Sequence, residues 1–460
     1  MPLLKDESLD HNTLKNYRPV SNLLFLGKII ERVVLRRLNK HLDTHKLHCP
    51  QQSAYKKKHS TETLLVRITN DILIASDERT ATVVMLLDLS AAFDTVDHDL
   101  LLTILNKEIG LEGTVLTWFH SFLKGSSQRV RLGETTSETI IIRFGVPQGS
   151  VLGPVLFNIY IRSIYRCVES LGFCIQGYAD DHQVLKSFKA RDQLDVLKYQ
   201  LKQCFDVIKS WMGQYYLKMN DSKTQFIVCG PSRILSEIQI HGINIDSGTT
   251  IRFVSTVKNL GILMDNHLTF EDQTVKLKKK CFRTLRNITK IRFLLSTDQL
   301  KMIVNSIVVS CLDYCNAVFY GISEKLLLQL QQIQNAAAKL VMGKYKHDHL
   351  DDDLKLLHWL PIKKRIIFKI ALLSYKSVNG LAPSYLQDLF RYCAHGHSLK
   401  LVVPQYNLQA GRRSFSAAGP RMFNTLPRFI TSSDTVDLFK SRLKTYLFDI
   451  SKCELEKLWV

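Results

Sequence analysis

Two adjacent carboxylates, Asp180 and Asp181, follow Tyr178 and Ala179 and precede His182, Gln183, Val184 and Leu185. A strand–turn–strand hairpin over this segment puts both acids at its tip, where they can hold a divalent metal. A third acid, Asp88, closes the apolar run Val83 to Leu87. Three carboxylates meeting at the ends of buried strands suit two-metal phosphoryl transfer, with ions about 4 Å apart clamping the attacking and leaving oxygens. Hard oxygen ligands favour Mg²⁺, with Mn²⁺ as the alternative. On this reading Asp88 and Asp180 share both ions, Asp181 is a weaker or outer ligand, and Leu89 offers its backbone carbonyl. An isolated Asp-Asp pair is usually a turn or a helix cap. Asp88 and the loop described next raise this pair above that reading.

The stretch from Phe144 to Pro154 packs Gly145, Gly149, Gly153, Pro147 and Pro154 around one amide, Gln148. Glycine lets backbone approach a base pair or sugar closely, so Gln148 and Gly149 are candidate nucleotide contacts. A plain helix-start turn explains neither Gln148 nor the glycine density. Phe93 lies five positions after Asp88. A ring there can sit beneath the nucleotide sugar and collide with a 2′-hydroxyl, although a lone Phe is more often core. Asp94 and Asp97 read as local hydrogen-bonding or capping groups.

Lys223 follows Leu217 to Asn220 and precedes a strand, a place from which a cation can protonate leaving pyrophosphate. Lys56, Lys57, Lys58 and His59 form a basic cluster that can meet triphosphate or template, or simply be solvated surface. His347, His349, Asp351, Asp352, Asp353 and His358 match no metal-ligand spacing and read as a polar linker or helix start. There is no P-loop and no H-E-x-x-H.

The elements that must position these groups alternate without a parallel-sheet rhythm, which predicts an α+β fold with an antiparallel sheet. Helices are predicted over Phe25–Lys46, with Ile29, Ile30, Val33, Val34, Leu38 and Leu42 as the apolar stripe, over Ser60–Ala75 with Ser60 as cap, and over Asp97–Glu108, Thr114–Leu123, Pro154–Tyr165 and Asp192–Met212. Strands are predicted over Thr80–Leu87, Ile175–Tyr178, Gln183–Ser187 and Thr224–Cys229, and a hairpin around Gly133. From Val275 to Leu295 eight lysines and arginines interleave with apolar positions, and the pattern stays helical to Met342. Five prolines between Pro361 and Pro427 predict short, interrupted helices in the tail.

The 460 residues are too many for one ordinary core, so two or three domains are expected. Lys and Arg number 62 against 42 Asp and Glu, a net charge of +20 that favours a polyanionic partner such as nucleic acid. The 10 cysteines show no C-x-x-C pair, so reduced thiols are expected rather than a zinc site. The first residues lack a signal-peptide pattern and no apolar run is long enough to span a bilayer. An intracellular protein of cytoplasm, nucleus or both, without a membrane partner, is the expectation.

The order of these motifs resembles the reverse transcriptases of non-LTR, LINE-type retrotransposons, closest to the jockey-like group. Asn16 to Ser21 is similar to the family's first fingers motif, and Gln52 to Tyr55 with Ser60 to Glu62 to its second. Leu87 to Asp94 matches palm motif A, the Gly145–Pro154 loop motif B, and Tyr178 to Asp181 motif C. Leu217 to Lys223 is similar to motif D, and Asn259-Leu260-Gly261 to motif E, the primer grip. The resemblance implies a right hand: fingers over 1–80, palm over 81–265 with a fingers insertion at about 110–145, a basic helical thumb over 266–345, and a mainly helical region over 346–460 of unassigned role. It implies Asp88, Asp180 and Asp181 as catalytic metal ligands, Phe93 as steric gate, Gln148 and Gly149 at the nucleotide, and Leu260 and Gly261 at the primer end. It implies an RNA template, a DNA primer and dNTPs as partners. Full elements of this group carry an upstream endonuclease, and this sequence starts almost at the first fingers motif, so a polymerase lacking that domain is expected.

Two other readings compete. An RNA-directed RNA polymerase shares the palm but is expected to place an acid or small polar group near position 93. A catalytically inactive nucleic-acid-binding relic would keep the basic charge.

Overall fold

The computed structural model describes residues 2–5, 9–189, 194–221, 223–238, 242–246, 249–345, 348, 350–393 and 400–459. Its centre is strand β1 (Ala81–Leu87), in which every residue but Leu86 is buried. Apart from Thr82 the strand is apolar, because both of its faces are covered. Ala81, Val83, Met85 and Leu87 point into one core, whereas Val84 and Leu86 point into a second. A period of two thus serves two cores at once.

Strand β2 (Cys174–Tyr178) and strand β3 (Asp181–Phe188) form a hairpin, and β3 pairs antiparallel with β1 from His182↔Leu87 to Phe188↔Ala81. Strand β4 (Gln225–Cys229) pairs with the other side of β1, giving the antiparallel order β4-β1-β3-β2. This is the expected α+β arrangement with an antiparallel sheet. A separate hairpin follows, of β5 (Thr256–Asn259) and β6 (Ile262–Asp265).

Helix α1 (Phe25–Thr44) and helix α2 (Thr61–Asp77) precede β1. Ser60 caps α2 in a reciprocal box with Thr63. Helices α3 (His98–Lys107) and α4 (Gly113–Leu123) follow β1. The expected hairpin around Gly133 forms as two short ladders, 127–128 with 140–141 and 131–132 with 135–136. The single helix expected to start at Pro154 is two, α5 (Gly153–Tyr160) and α6 (Ser163–Glu169), followed by α7 (Leu194–Gln214). Helix α1 occupies its expected span, but its buried face differs from the expected stripe. Glu31, Leu38 and Leu42 are buried, while Ile29, Ile30 and Val33 are exposed. The reason is polar: Glu31 is drawn inward by donors described below.

Helices α8 (Glu271–Ile291), α9 (Glu324–Met342), α10 (Ile362–Val378), α11 (Phe415–Thr425) and α12 (Val436–Asp449) complete the framework. The tail helices are not all short. Pro361, Pro383 and Pro427 stand at helix N-caps rather than inside helices, so they start helices instead of interrupting them. Only Pro420 lies within one. His347 and His349 lie outside the described residues. Asp353 is buried and paired with Lys344 at 2.6 Å.

One core unites α2, α8, α9, α10 and α12, through residues such as Ile68, Leu285, Ile333, Ile370 and Leu443. Polar ties reinforce it. Asp77 accepts from the Leu408 amide at 2.6 Å, Asn70 from the Ser416 amide at 2.9 Å, and Glu62 pairs with Lys369 at 2.9 Å. The described residues of 350–459 therefore pack as part of the same body that backs the sheet. Among the described residues no helix is long and apolar enough to cross a membrane. Truncating Leu443, which is fully buried, to Ala is expected to cost about 2–5 kcal/mol. Urea unfolding followed by hydrogen exchange should show α8 losing protection together with α12; loss confined to α12 would refute a shared core.

Candidate active site

The β2–β3 hairpin closes Tyr178 against Asp181, leaving Ala179 and Asp180 as its two-residue turn. Ala179 is buried and has φ +58°, a left-handed conformation that costs a non-glycine residue about 1 kcal/mol. Leu87 pairs with His182, so the antiparallel register carries Asp88 alongside Asp181. All three acids thereby collect at one end of adjacent strands.

After Asp88 the chain enters the short strand Leu89–Ser90, paired with Lys218–Met219. The Asn220 amide donates to the Asp88 carbonyl at 2.8 Å, which ties the Lys223 turn to the strand end. Lys223 Nζ stands 3.8 Å from Asp88 Oδ2. Such an exposed pair adds little stability; its interest is the placement of a cation beside the acids. Arg18 also faces Asp180, and Lys258 faces Asp181.

Burial pushes the Asp180 carboxyl above the ordinary carboxylate range, and the Asp88 charge adds to this while Arg18 opposes it. Asp181 is pushed up to about 6, first by neighbouring protein that strips its water, then by the charges of Asp180 and Asp88. Asp181 is still open to solvent at the hairpin tip, so water screens part of this repulsion. Among the described residues no three His, Cys, Asp or Glu side chains meet as a ready-made metal cage. The donor set, oxygen only and mutually destabilised, fits hard divalent ions.

Phe93 lies on the turn after Leu89–Ser90 and stacks on buried Phe157, with ring centroids 4.5 Å apart. Phe93 is half-buried. Gln148 Nε2 donates to both carboxylate oxygens of Asp94 at 3.0 Å, and the Gln148 carbonyl accepts from the Ser21 amide at 2.8 Å. Gly149 has φ +115°, and a Cβ there would lie 3.0 Å from the Ser21 carbonyl. The loop is held from the far side by buried Glu31, which accepts from Ser150 Oγ and from the Val151 and Leu152 amides at 2.7 and 3.1 Å. Capping these amides is what turns Glu31 inward and Ile29, Ile30 and Val33 outward.

Leu260 and Gly261, both at positive φ, make the β5–β6 turn. Tyr314 Oη donates to the Leu260 carbonyl at 2.7 Å. Gln183, the residue after His182 on β3, donates to Asn259 at 3.2 Å and so links this turn to the acids' strand. Lys56 is not among the groups facing the acids. Its ammonium donates to the Cys49 carbonyl at 2.8 Å beside a small cavity lined by Asn39, His48 and Arg162. Burial lowers its pKa, so the fold uses this lysine to tie down its own loop.

The sequence profile of the family described as reverse transcriptase (RNA-dependent DNA polymerase) matches residues 5–264. The chain belongs to the reverse transcriptase family, in its non-LTR branch. It is 27% identical over 282 residues to the probable RNA-directed DNA polymerase from transposon BS of Drosophila melanogaster, covering 60% of this chain and 30% of that one. It is 30% identical over 339 residues to the RNA-directed DNA polymerase from mobile element jockey of Drosophila funebris, covering 71% and 35%. The chain thus spans about a third of the length of these curated relatives. Apo telomerase from Candida tropicalis is similar at a TM-score of 0.39 and 11% identity, over 93% of this chain and 61% of that one, a likeness too slight to carry weight. Family membership and the antiparallel sheet together give the right-hand polymerase fold, with the acids on its palm.

Sequence reasoning assigns no role to Arg18, Glu31, Gln52, Tyr165, His182 or Lys258. Arg18 and Gln52 do fall inside the two fingers motifs, which is the signal available. Glu31, Tyr165 and His182 carry none, because only the tertiary fold gives them polar partners.

A raised carboxyl pKa means the metal-free chain loses the Asp181 contribution to stability as pH climbs from about 4 to about 6. A divalent ion binds the ionised form and offsets that loss. Mg²⁺ should therefore raise the melting temperature more at pH 7.5 than at pH 5.5, and Asp181→Asn should remove most of the difference. Equal Mg²⁺ shifts at both pH values in the parent would contradict this electrostatic account.

Proposed function

We propose that this chain is an RNA-directed DNA polymerase that extends a primer 3′-hydroxyl with dNTPs along an RNA template. The observation that carries the reading is the strand register that sets Asp88 beside Asp181, with the half-exposed Phe93 ring on the turn that follows. Asp88, Asp180 and Asp181 would hold divalent ions, Mg²⁺ by donor type, with the Leu89 carbonyl as a further ligand. Such ions supply activation of the primer hydroxyl and neutralisation of the triphosphate when bound.

The chain's own groups do the rest. Phe93 presents the edge that excludes a 2′-hydroxyl. Gln148, aimed by Asp94, meets the incoming nucleotide, and Gly149 lets it come close to backbone. Arg18 and Lys258 draw in phosphate oxygens, and Lys223 donates a proton toward departing pyrophosphate. Leu260 and Gly261 seat the primer end. The lysines and arginines of α8 face the polyanionic duplex, consistent with the net charge of +20. In these terms residues 1–80 are fingers, 81–265 palm and 266–345 thumb.

Primer extension on an RNA template with Mg²⁺ tests the reading. Asp180→Ala should reduce extension to background. Extension by that variant at the parent's rate would sink the assignment, and salt-sensitive binding with no extension by the parent would favour the inactive relic. Phe93→Ala should raise ribonucleotide incorporation relative to deoxynucleotide by about tenfold or more, a size typical of one steric contact. Equal use of both sugars by the parent would revive the RNA polymerase reading.

A further inference from the structure

Behind the turn that carries Asp180 lies a closed set of buried hydrogen bonds. Gln52 is buried, and its amide is fully used. Its Oε1 accepts from the Ala179 and Ala54 amides, both at 2.9 Å. Its Nε2 donates to the Ala179 carbonyl and to Tyr165 Oη, both at 3.0 Å. His182 is buried, with Nδ1 3.0 Å from the Asp180 carbonyl and Nε2 3.2 Å from Tyr165 Oη. A carbonyl can only accept, so Nδ1 carries the proton and Nε2 accepts from Tyr165. Hydrogen bonds then run in one direction, from Gln52 through Tyr165 to His182 and on to Asp180.

Two further contacts fasten this set to the fingers. The Ser53 amide donates to the Gly177 carbonyl at 2.8 Å, and the Gly177 amide donates to the Gln51 carbonyl at 2.9 Å. Gly177 has no room for a side chain, because a Cβ there would collide with the Tyr165 hydroxyl. Segment 51–53 is therefore docked along β2, directly behind the acids.

We infer that Gln52 is a positioning residue: its side-chain amide holds Ala179 in its left-handed conformation and so fixes where the Asp180 and Asp181 carboxylates stand. This rests on reading the acids as the metal-binding centre, and its physical content can be measured apart from that reading. Peptide hydrogen bonds answered at both N–H and C=O stop the turn from relaxing to the extended backbone that alanine prefers. Tyr165 and His182 act through the same turn by holding the next carbonyl. The device needs no contact with substrate.

The test uses the full chain with Gln52→Met, which keeps volume and removes the hydrogen bonds, and Gln52→Glu, which keeps the acceptor and removes the donors. Gln51→Ala is the control, since that side chain reaches only the exposed Glu169 and the Cys49 thiol and makes no contact with the turn. Amide exchange over residues 177–182 should quicken at least tenfold in both Gln52 variants and stay at the parent rate in the control. Tyr165→Phe should show a smaller rise. In primer extension, kcat should fall ten- to a hundredfold and the Mg²⁺ needed for half-maximal rate should rise severalfold, with KM for dNTP within threefold of the parent. Unchanged exchange over 177–182 in Gln52→Met overturns the inference, as does faster exchange with unaltered kcat and Mg²⁺ demand. If the parent itself fails to extend, the polymerase reading fails, and the exchange measurement alone still decides whether Gln52 holds the turn.

Discussion

Like charges have to be held together here, and most of the palm follows from that constraint. Asp88, Asp180 and Asp181 stand at adjacent strand ends; the Asp88 charge raises the cost of ionising Asp180 and Asp181, and the Asp180 charge raises that of Asp181. Flexible backbone would let them drift apart into water. The fold prevents this with a strand that cannot move, since β1 is sandwiched between two cores and hydrogen-bonded on both edges. Burying a Val or Leu side chain completely is worth about 1.5–3 kcal/mol, and β1 and its two partners bury many. That surplus opposes the repulsion at the strand ends. Cations set on the perimeter, Arg18, Lys223 and Lys258, relieve part of it without filling the space between the acids.

The same demand for rigidity explains why α2 and the tail matter to a site they do not enter. Helix α2 is buried along most of its length because β1 lies on one side and the tail helices on the other. Glu62, Asn70 and Asp77 turn their polar atoms toward the tail. Tyr385, from the tail, donates to Thr63 at 3.0 Å and lies 3.3 Å from Ser53 Oγ. Ser53 is next to Gln52, so the tail buttresses the segment that backs the turn carrying Asp180. A role in support of the palm accounts for these contacts without any chemistry in the tail itself.

What the sequence made readable were features set by local rules. The strand of Val83 to Leu87 announces itself by an unbroken apolar run, and the acids by their place at its end and at a hairpin tip. Ser60 announces a cap because Ser and Thr at that spacing satisfy each other's backbone. The misreadings came where distant groups overrode the local pattern. The first half of the apolar stripe of α1 points outward because Glu31, on the same helix, has three donors waiting in the loop after Gln148. Lys56 reads from its neighbours either as a contact to triphosphate or template or as solvated surface, and the fold adds a bond from its ammonium to the Cys49 carbonyl that the local pattern does not announce. Prolines that read as helix breakers serve as helix starts, since the first turn has no use for the missing amide proton.

Gln52 shows why a positioning group is hard to see in advance. Glutamine in a polar loop looks like solvent-facing surface, and only a count of its partners reveals otherwise: two donors and two acceptors, all used, all buried. An apolar side chain of equal size would fill the same volume and leave the Ala179 amide and carbonyl without partners. Each such orphan costs about 1–3 kcal/mol, comparable with the preference of alanine for extended backbone. The turn would then have reason to relax, and the carboxylates would move with it. Position 52 thus couples the fingers-side loop to the backbone turn that carries Asp180 and precedes Asp181.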